Sequence, residues 1–158
     1  MAASTSTARL SAAVIDALPW QRKSHLLDAE ARRDAKPLAA LAGLQQLGFQ
    51  LVRLEPGREP WVYHRHLYEE QCLYVLEGEG EAQIGDGRVP LKAGDFLGFV
   101  AGGEAHTLRN TGAEPLLFIA ARTQLTLDVC DYPRHGKRLY MNGDEEVLVD
   151  LSEVRHVG

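Results

Sequence analysis

From residue 49 onward the chain is written in short apolar runs, each closed by turn-forming residues. Runs at 72–76, 96–100 and 116–121 mix aliphatic, aromatic and β-branched side chains, and the breaks fall at Glu55-Pro56-Gly57, Gly85-Asp86-Gly87, Ala93-Gly94-Asp95, Ala101-Gly102-Gly103 and Asn110-Thr111-Gly112. Breaks at intervals of roughly 8 to 12 residues predict an all-β sandwich or barrel rather than βαβ units. Gly85-Asp86-Gly87 supplies the tolerance of positive φ that a tight hairpin turn needs.

The two ends read differently. Residues 1–8 are small and polar and predict a frayed arm, while 10–18 predict a short helix ended by Pro19. Residues 21–45 are rich in Ala, Leu, Arg and Asp with no clean period, and a fragment at 38–47 reads as helical or as a covering segment. Beyond the barrel, Pro133 and Gly136 bar a long helix, so an extended tail is expected, with one more short strand at 146–151. The expected organisation is an N-terminal arm and covering segment at 1–48, a β-barrel at 49–130, and a C-terminal tail at 131–158 that packs on it.

Length and charge narrow the partners. With 158 residues, 45% of them hydrophobic, the chain buries an ordinary core as one domain. A net charge of -5 argues against a nucleic-acid surface, and Arg32-Arg33 and Lys137-Arg138 are too sparse to overturn that. No helix-turn-helix segment accompanies the barrel. Cys72 and Cys130 have no CxxC or zinc-finger spacing, and no apolar leader or 18-residue apolar run is present, so a reducing cytoplasm and no membrane are expected.

The chemistry concentrates at His64-Arg65-His66, followed by Gln71 and, much later, His106. In an extended strand, side chains at i and i+2 leave one face about 7 Å apart along it, so His64 and His66 can converge on one ion. Imidazole suits Fe, Zn, Ni or Cu. Gln71 and His106 would close the site from neighbouring strands, which requires a curled sheet of the kind the turn spacing predicts.

These residues carry a resemblance to the cupin superfamily. The run from Gly57 through His64, His66 and Gln71 to Gly78 resembles its first motif, and the run from Gly94 through His106 to Asn110 its second. Together they cover roughly residues 49 to 123. The resemblance implies a single-domain jelly-roll β-barrel with a short, partly helical N-terminal segment, a homodimer formed through the N-terminal strands, and one divalent transition metal ion (Fe, Zn, Ni or Mn) inside, held by His64, His66, Gln71 and His106. Gln71 stands where most metal-binding members carry Glu, Val100 where Pro is usual, and the loop before His106 is one residue longer than the common pattern. Glu70 is a rival ligand that carries a charge, but the family's register selects Gln71 and sends Leu73 and Val75 inward with it while Cys72 and Tyr74 face out.

The amide matters electrostatically. Four neutral donors leave a divalent ion close to its full charge, which favours polarising a carbonyl or acidifying water. The expected function is therefore a small metal-dependent enzyme acting on a compact oxygen-rich metabolite, of isomerase or lyase type or a dioxygenase; the alternative is a non-catalytic small-molecule-binding or sensing barrel, and a third reading is a metal-free epimerase-like barrel with His64 as base. Other residues take plainer roles. Glu69-Glu70 reads as a solvated turn, with a general-base role for Glu69 as the exception. Asn110 reads as a turn or ladder hydrogen bond, Cys72 and Cys130 as apolar fillers, and His135 and His156 as surface groups. Val62, Leu73, Val75, Phe99 and Leu108 are expected to wall the cavity; Arg53, Arg109 and Arg122 read as solvent-facing, with an inward one able to clamp a substrate carboxylate.

Overall fold

A computed structural model describes residues 8–158, so all but the last residue of the expected arm lies outside the described residues. In chain order the elements are α1 (Ala12–Ala17), β1 (Gln21–His25), β2 (Asp28–Lys36), α2 (Leu38–Leu41), β3 (Leu47–Leu54), β4 (Arg65–His66), β5 (Gln71–Glu77), β6 (Glu79–Ile84), β7 (Gly87–Lys92), β8 (Phe96–Phe99), β9 (His106–Arg109), β10 (Leu116–Thr123), β11 (Leu127–Tyr132), β12 (Lys137–Asn142) and β13 (Glu145–Asp150). The predicted first helix forms, with Ser11 Oγ accepting from the Val14 N–H at 3.3 Å. No helix among the described residues is long and apolar enough to cross a membrane.

Three antiparallel sheets make an all-β jelly roll: β1-β2-β3-β10-β5-β8, β13-β12-β11-β4 and β7-β6-β9. Alternation decides what each strand buries. On β10, Leu116 and Phe118 are fully buried; on β3, Val52 and Leu54; on β5, Leu73 and Val75, while Tyr74 stays exposed as its parity requires. These side chains meet Ala82, Leu91 and Leu108 in one core, and burying each large one contributes roughly 1.5–3 kcal/mol. A second cluster, of Ala31, Val62, Cys130, Tyr132 and Leu139, fills the space against the four-stranded sheet. Gly85 takes its predicted positive φ of 55°, and Gly78, at φ 92°, turns β5 into β6 where a Cβ would stand 2.7 Å from the Pro115 carbonyl oxygen.

Two stretches differ from expectation. Residues 21–36, given no element of their own from the sequence, form a hairpin; the inward positions of β2 are the small Ala31 and Ala35 flanking Arg33, a pattern with no apolar period to read. Its outward Asp34 is buried under Arg22 (2.9 Å) and Arg53 (3.1 Å), and the Arg22 hydrogen bond holds its carboxyl below the usual range. After residue 131, the expected strand near 146–151 pairs with the unforeseen β12, which in turn pairs with β11.

Candidate functional site

His64, His66, Gln71 and His106 come together at one mouth of the barrel from three different sheets. His66 lies on β4, paired with Cys130 of β11; Gln71 opens β5 and His106 opens β9. His64 precedes β4 and is tied to His106 by two backbone hydrogen bonds, of 3.1 and 2.8 Å. All three imidazoles are buried, with ring centroids 5.1 Å apart for His64 and His66 and 4.9 Å for His64 and His106. Phe99 stacks on His106 at 3.5 Å and fixes its ring plane. Glu70 is exposed and gives its backbone N–H to Thr123 Oγ1.

The proton positions follow from the partners. Each Nδ1 faces a group that only accepts: the Val62 carbonyl for His64 at 2.8 Å, Asp128 Oδ2 for His66 at 2.5 Å, and the Glu104 carbonyl for His106 at 3.3 Å. For His64 and His66 Nδ1 is therefore the donor and Nε2 carries the lone pair in the neutral ring, whereas His106 meets an acceptor at each nitrogen. His106 Nε2 stands 2.9 Å from Gln71 Oε1, itself an acceptor. A proton on His106 Nε2 closes that pair as a hydrogen bond, and the same separation is about that of neighbouring ligands on one first-row ion with bonds of about 2.0–2.2 Å. Three imidazoles and an amide oxygen are donors of the kind a first-row divalent ion takes. Burial, followed by the charges of His106 and His66, pushes His64 well below its ordinary range, and burial brings His106 down to about 4, so both stay neutral and able to ligate at neutral pH.

Two tighter clusters of ligand atoms, mutually within 4.8 Å, are His64-His66-Cys130 and His66-Glu69-Asp128; His106 belongs to neither. Burial pushes the Cys130 thiol up to about 12, which makes it a poor anionic ligand. In the second cluster Asp128 orients rather than ligates. Besides His66 it accepts the N–H groups of Tyr68 at 3.1 Å and Glu69 at 3.3 Å; burial raises its pKa, but the His66 contact brings it below the usual range. Glu69 corrects the sequence reading: it is buried, not a solvated turn. Its Oε1 accepts from the Leu125 N–H at 2.9 Å, while Oε2, buried without a hydrogen bond, lies 3.8 Å from His66 Nδ1 and 3.5 Å from Arg122 Nη1. Neither role was visible locally, since the hydrogen-bond partners are more than fifty positions away.

Next to Gln71 the barrel holds a chamber of about 150 Å³, with Arg33, Gln50, Trp61, Leu73, Phe99 and Arg122 among its walls. It shares Gln71, Phe99 and Arg122 with a larger, mostly apolar groove of about 640 Å³ that opens past Leu10, Leu44, Phe49 and Val100. Of the three arginines considered from sequence, Arg122 lines the chamber; Arg53 turns outward to Asp34 and Trp20, and Arg109 pairs with Glu59 at the surface. Val62 sits in the second core cluster and Leu108 in the main core. Asn110 has the structural role expected of it, donating to the Leu54 and Glu114 carbonyls and accepting from Gly112.

Known proteins agree with this architecture. A family model described as "Cupin domain" matches residues 50–122. An oxalate-binding protein of Thermotoga maritima is 35% identical over 97 residues, spanning 61% of this chain and 70% of that protein. Among solved structures, a protein of Acidithiobacillus ferrooxidans provisionally assigned as a sugar phosphate isomerase superposes with a TM-score of 0.93 at 38% identity, covering 96% of this chain and 97% of its own. A predicted oxalate decarboxylase of Thermotoga maritima superposes with a TM-score of 0.60 at 27% identity, over 70% of this chain and 96% of its own. The chain belongs to the cupin family.

Proposed function

We propose that this cupin holds one divalent transition metal ion, Fe, Zn, Ni or Mn, at His64, His66, Gln71 and His106, and works as a small metal-dependent enzyme on a compact oxygen-rich metabolite. The observation that carries the reading is the set of three buried imidazoles, two of them with Nδ1 committed to the Val62 carbonyl and to Asp128, and the third with Nε2 2.9 Å from the Gln71 oxygen. When bound, the ion would supply Lewis-acid polarisation of a carbonyl, the chemistry of isomerases and lyases. The chain's own contributions are distinct. Asp128 fixes the His66 ring and Phe99 fixes the His106 ring. The names of the relatives, one provisionally assigned as a sugar phosphate isomerase and one an oxalate-binding protein, both refer to small oxygen-rich molecules.

A second reading, a binding protein without turnover, draws on the absence of any carboxylate among the chamber's lining residues. One experiment separates the two. Protein purified without chelator is expected to carry about one ion per chain by elemental analysis, and His64→Ala and His106→Ala to lose it; full metal in both variants would remove the proposed ligands. Keto acids, sugar phosphates and diketones are then supplied to protein loaded with each metal. Turnover without oxygen uptake supports the isomerase or lyase, oxygen uptake a dioxygenase, and saturable binding without turnover the second reading. The reading includes a homodimer, for which exposed Leu47, Phe49, Phe96 and Val100 provide apolar area, and sedimentation measures it.

A further inference from the structure

The chamber beside the candidate ligands is furnished with donors. Arg33 points into it from β2 with the parity of Ala31 and Ala35, donates Nη1 to the Pro60 carbonyl at 3.0 Å, and lies over the Trp61 ring at 5.9 Å. It makes no ion pair among the described residues. Burial, and next the nearby charge of Arg122, hold its pKa below the usual arginine value, as expected of a cation set in a pocket without a counter-ion. Arg122 enters from β10, 3.5 Å from the buried Glu69 carboxylate, which offsets only part of the local positive charge. Its stem lies across Gly48, where a Cβ would stand 2.9 Å from Arg122 Cγ, so the missing side chain at 48 is what lets the arginine lie there. The Trp61 indole Nε1 is buried with no partner. Gln50 and Gln71 complete the polar wall, and no carboxylate lines the chamber.

We infer that Arg33 and Arg122 form an oxyanion subsite that grips the carboxylate or phosphate of the protein's ligand, while the rest of the molecule extends toward Gln71 and the histidines. Two guanidinium forks can each take an oxyanion in bidentate fashion, which a lysine cannot, and the volume suits a compact dianion or the anionic end of a larger ligand. A dianion relieves the repulsion between the two arginines and gives the orphaned indole N–H an acceptor. This deepens the proposed function and rests on it for what the far end of the ligand meets; anion binding itself does not require the ion.

Calorimetric titration tests the subsite with two probes, inorganic phosphate and malonate, on protein as purified and after metal removal. Saturable binding of at least one probe in both states is expected, and the tighter of the two identifies the oxyanion. Arg33→Lys and Arg122→Gln should each weaken it by about tenfold or more with the wild-type metal content retained. Gly48→Ala should weaken it severalfold by displacing Arg122, and Arg109→Gln should leave it unchanged. Circular dichroism confirms that each variant is folded, and the lysine substitution keeps charge and stem should a larger change at 33 fail. Binding indifferent to all three substitutions overturns the subsite, as does anion binding that vanishes with the metal. Arginine-dependent binding in a protein that carries no metal as purified and takes none up when it is supplied would instead overturn the proposed function and leave the subsite standing.

Discussion

The inward faces of β3, β5 and β10 each change character along their length, and the two ends teach different things. Toward one end the inward residues are Leu54 and Val52, Val75 and Leu73, Leu116 and Phe118, all buried. Toward the other end the same three faces continue as Gln50 and Gly48, Gln71, and Ala120 and Arg122. Parity is unbroken, so the change belongs to the side chains and not to the backbone. The apolar end holds the sheets together by exclusion of water and tolerates no polar atom without a partner; the mouth exposes donors and lone pairs left free to meet a ligand.

Breaking the apolar end should have the largest effect. Phe118→Ala is expected to lower unfolding free energy by about 3–5 kcal/mol, measured by denaturant titration, while the folded fraction keeps its metal content. Equal loss of metal would show that the two ends are not separable. At the mouth, Asp128→Asn should weaken metal affinity by about 10- to 100-fold through the looser His66 ring, with a much smaller stability change than at Phe118. An affinity within twofold of wild type would mean that Asp128 does not orient that histidine.

Acid gives the smallest and most specific contrast. The folded pKa values of His64 and His106 lie below the ordinary histidine value, so as pH falls the unfolded chain takes up protons first. Stability of the metal-free protein should therefore be complete above pH of about 6.5 and decline as pH falls toward about 4, where His106 itself accepts a proton. His25, lowered by burial, acts in the same window, whereas the depressed carboxyl of Asp34 takes over only at lower pH. His106→Gln should flatten this slope and Phe118→Ala should leave it unchanged, as read from denaturation midpoints between pH 7.5 and 4.5. A slope untouched by His106→Gln would assign the acid response elsewhere.

Much of this was legible residue by residue. The runs at 72–76, 96–100 and 116–121 declared themselves as β5, β8 and β10 because they are rich in large apolar residues, and the register placed Tyr74 outside and Leu73 and Val75 inside as observed. Strand β2 did not, because an inward face of Ala31, Arg33 and Ala35 has no apolar period; the same composition concealed the arginine that reaches the chamber. Strand β12 was hidden because Tyr140 is exposed and the polar Lys137 and Arg138 interrupt the apolar pattern. The histidine pair was readable from its spacing alone. Asp128 and Glu69 were not, since a lone acid reads as solvated unless the distant chain that covers it is known, and those contacts join residues far apart in sequence.

The four residues at the mouth are delivered by separate sheets: His66, with His64 just ahead of it, by the two-residue edge strand β4 that hangs on β11; Gln71 by the six-stranded sheet; His106 by the three-stranded one. Whatever binds where they meet is a rivet through all three layers. Looseness in the C-terminal hairpin would reach the histidines without touching them, and a tight occupant would stiffen a hairpin it never contacts. Amide exchange in β11 and β12 is then a remote gauge of how firmly the mouth is closed.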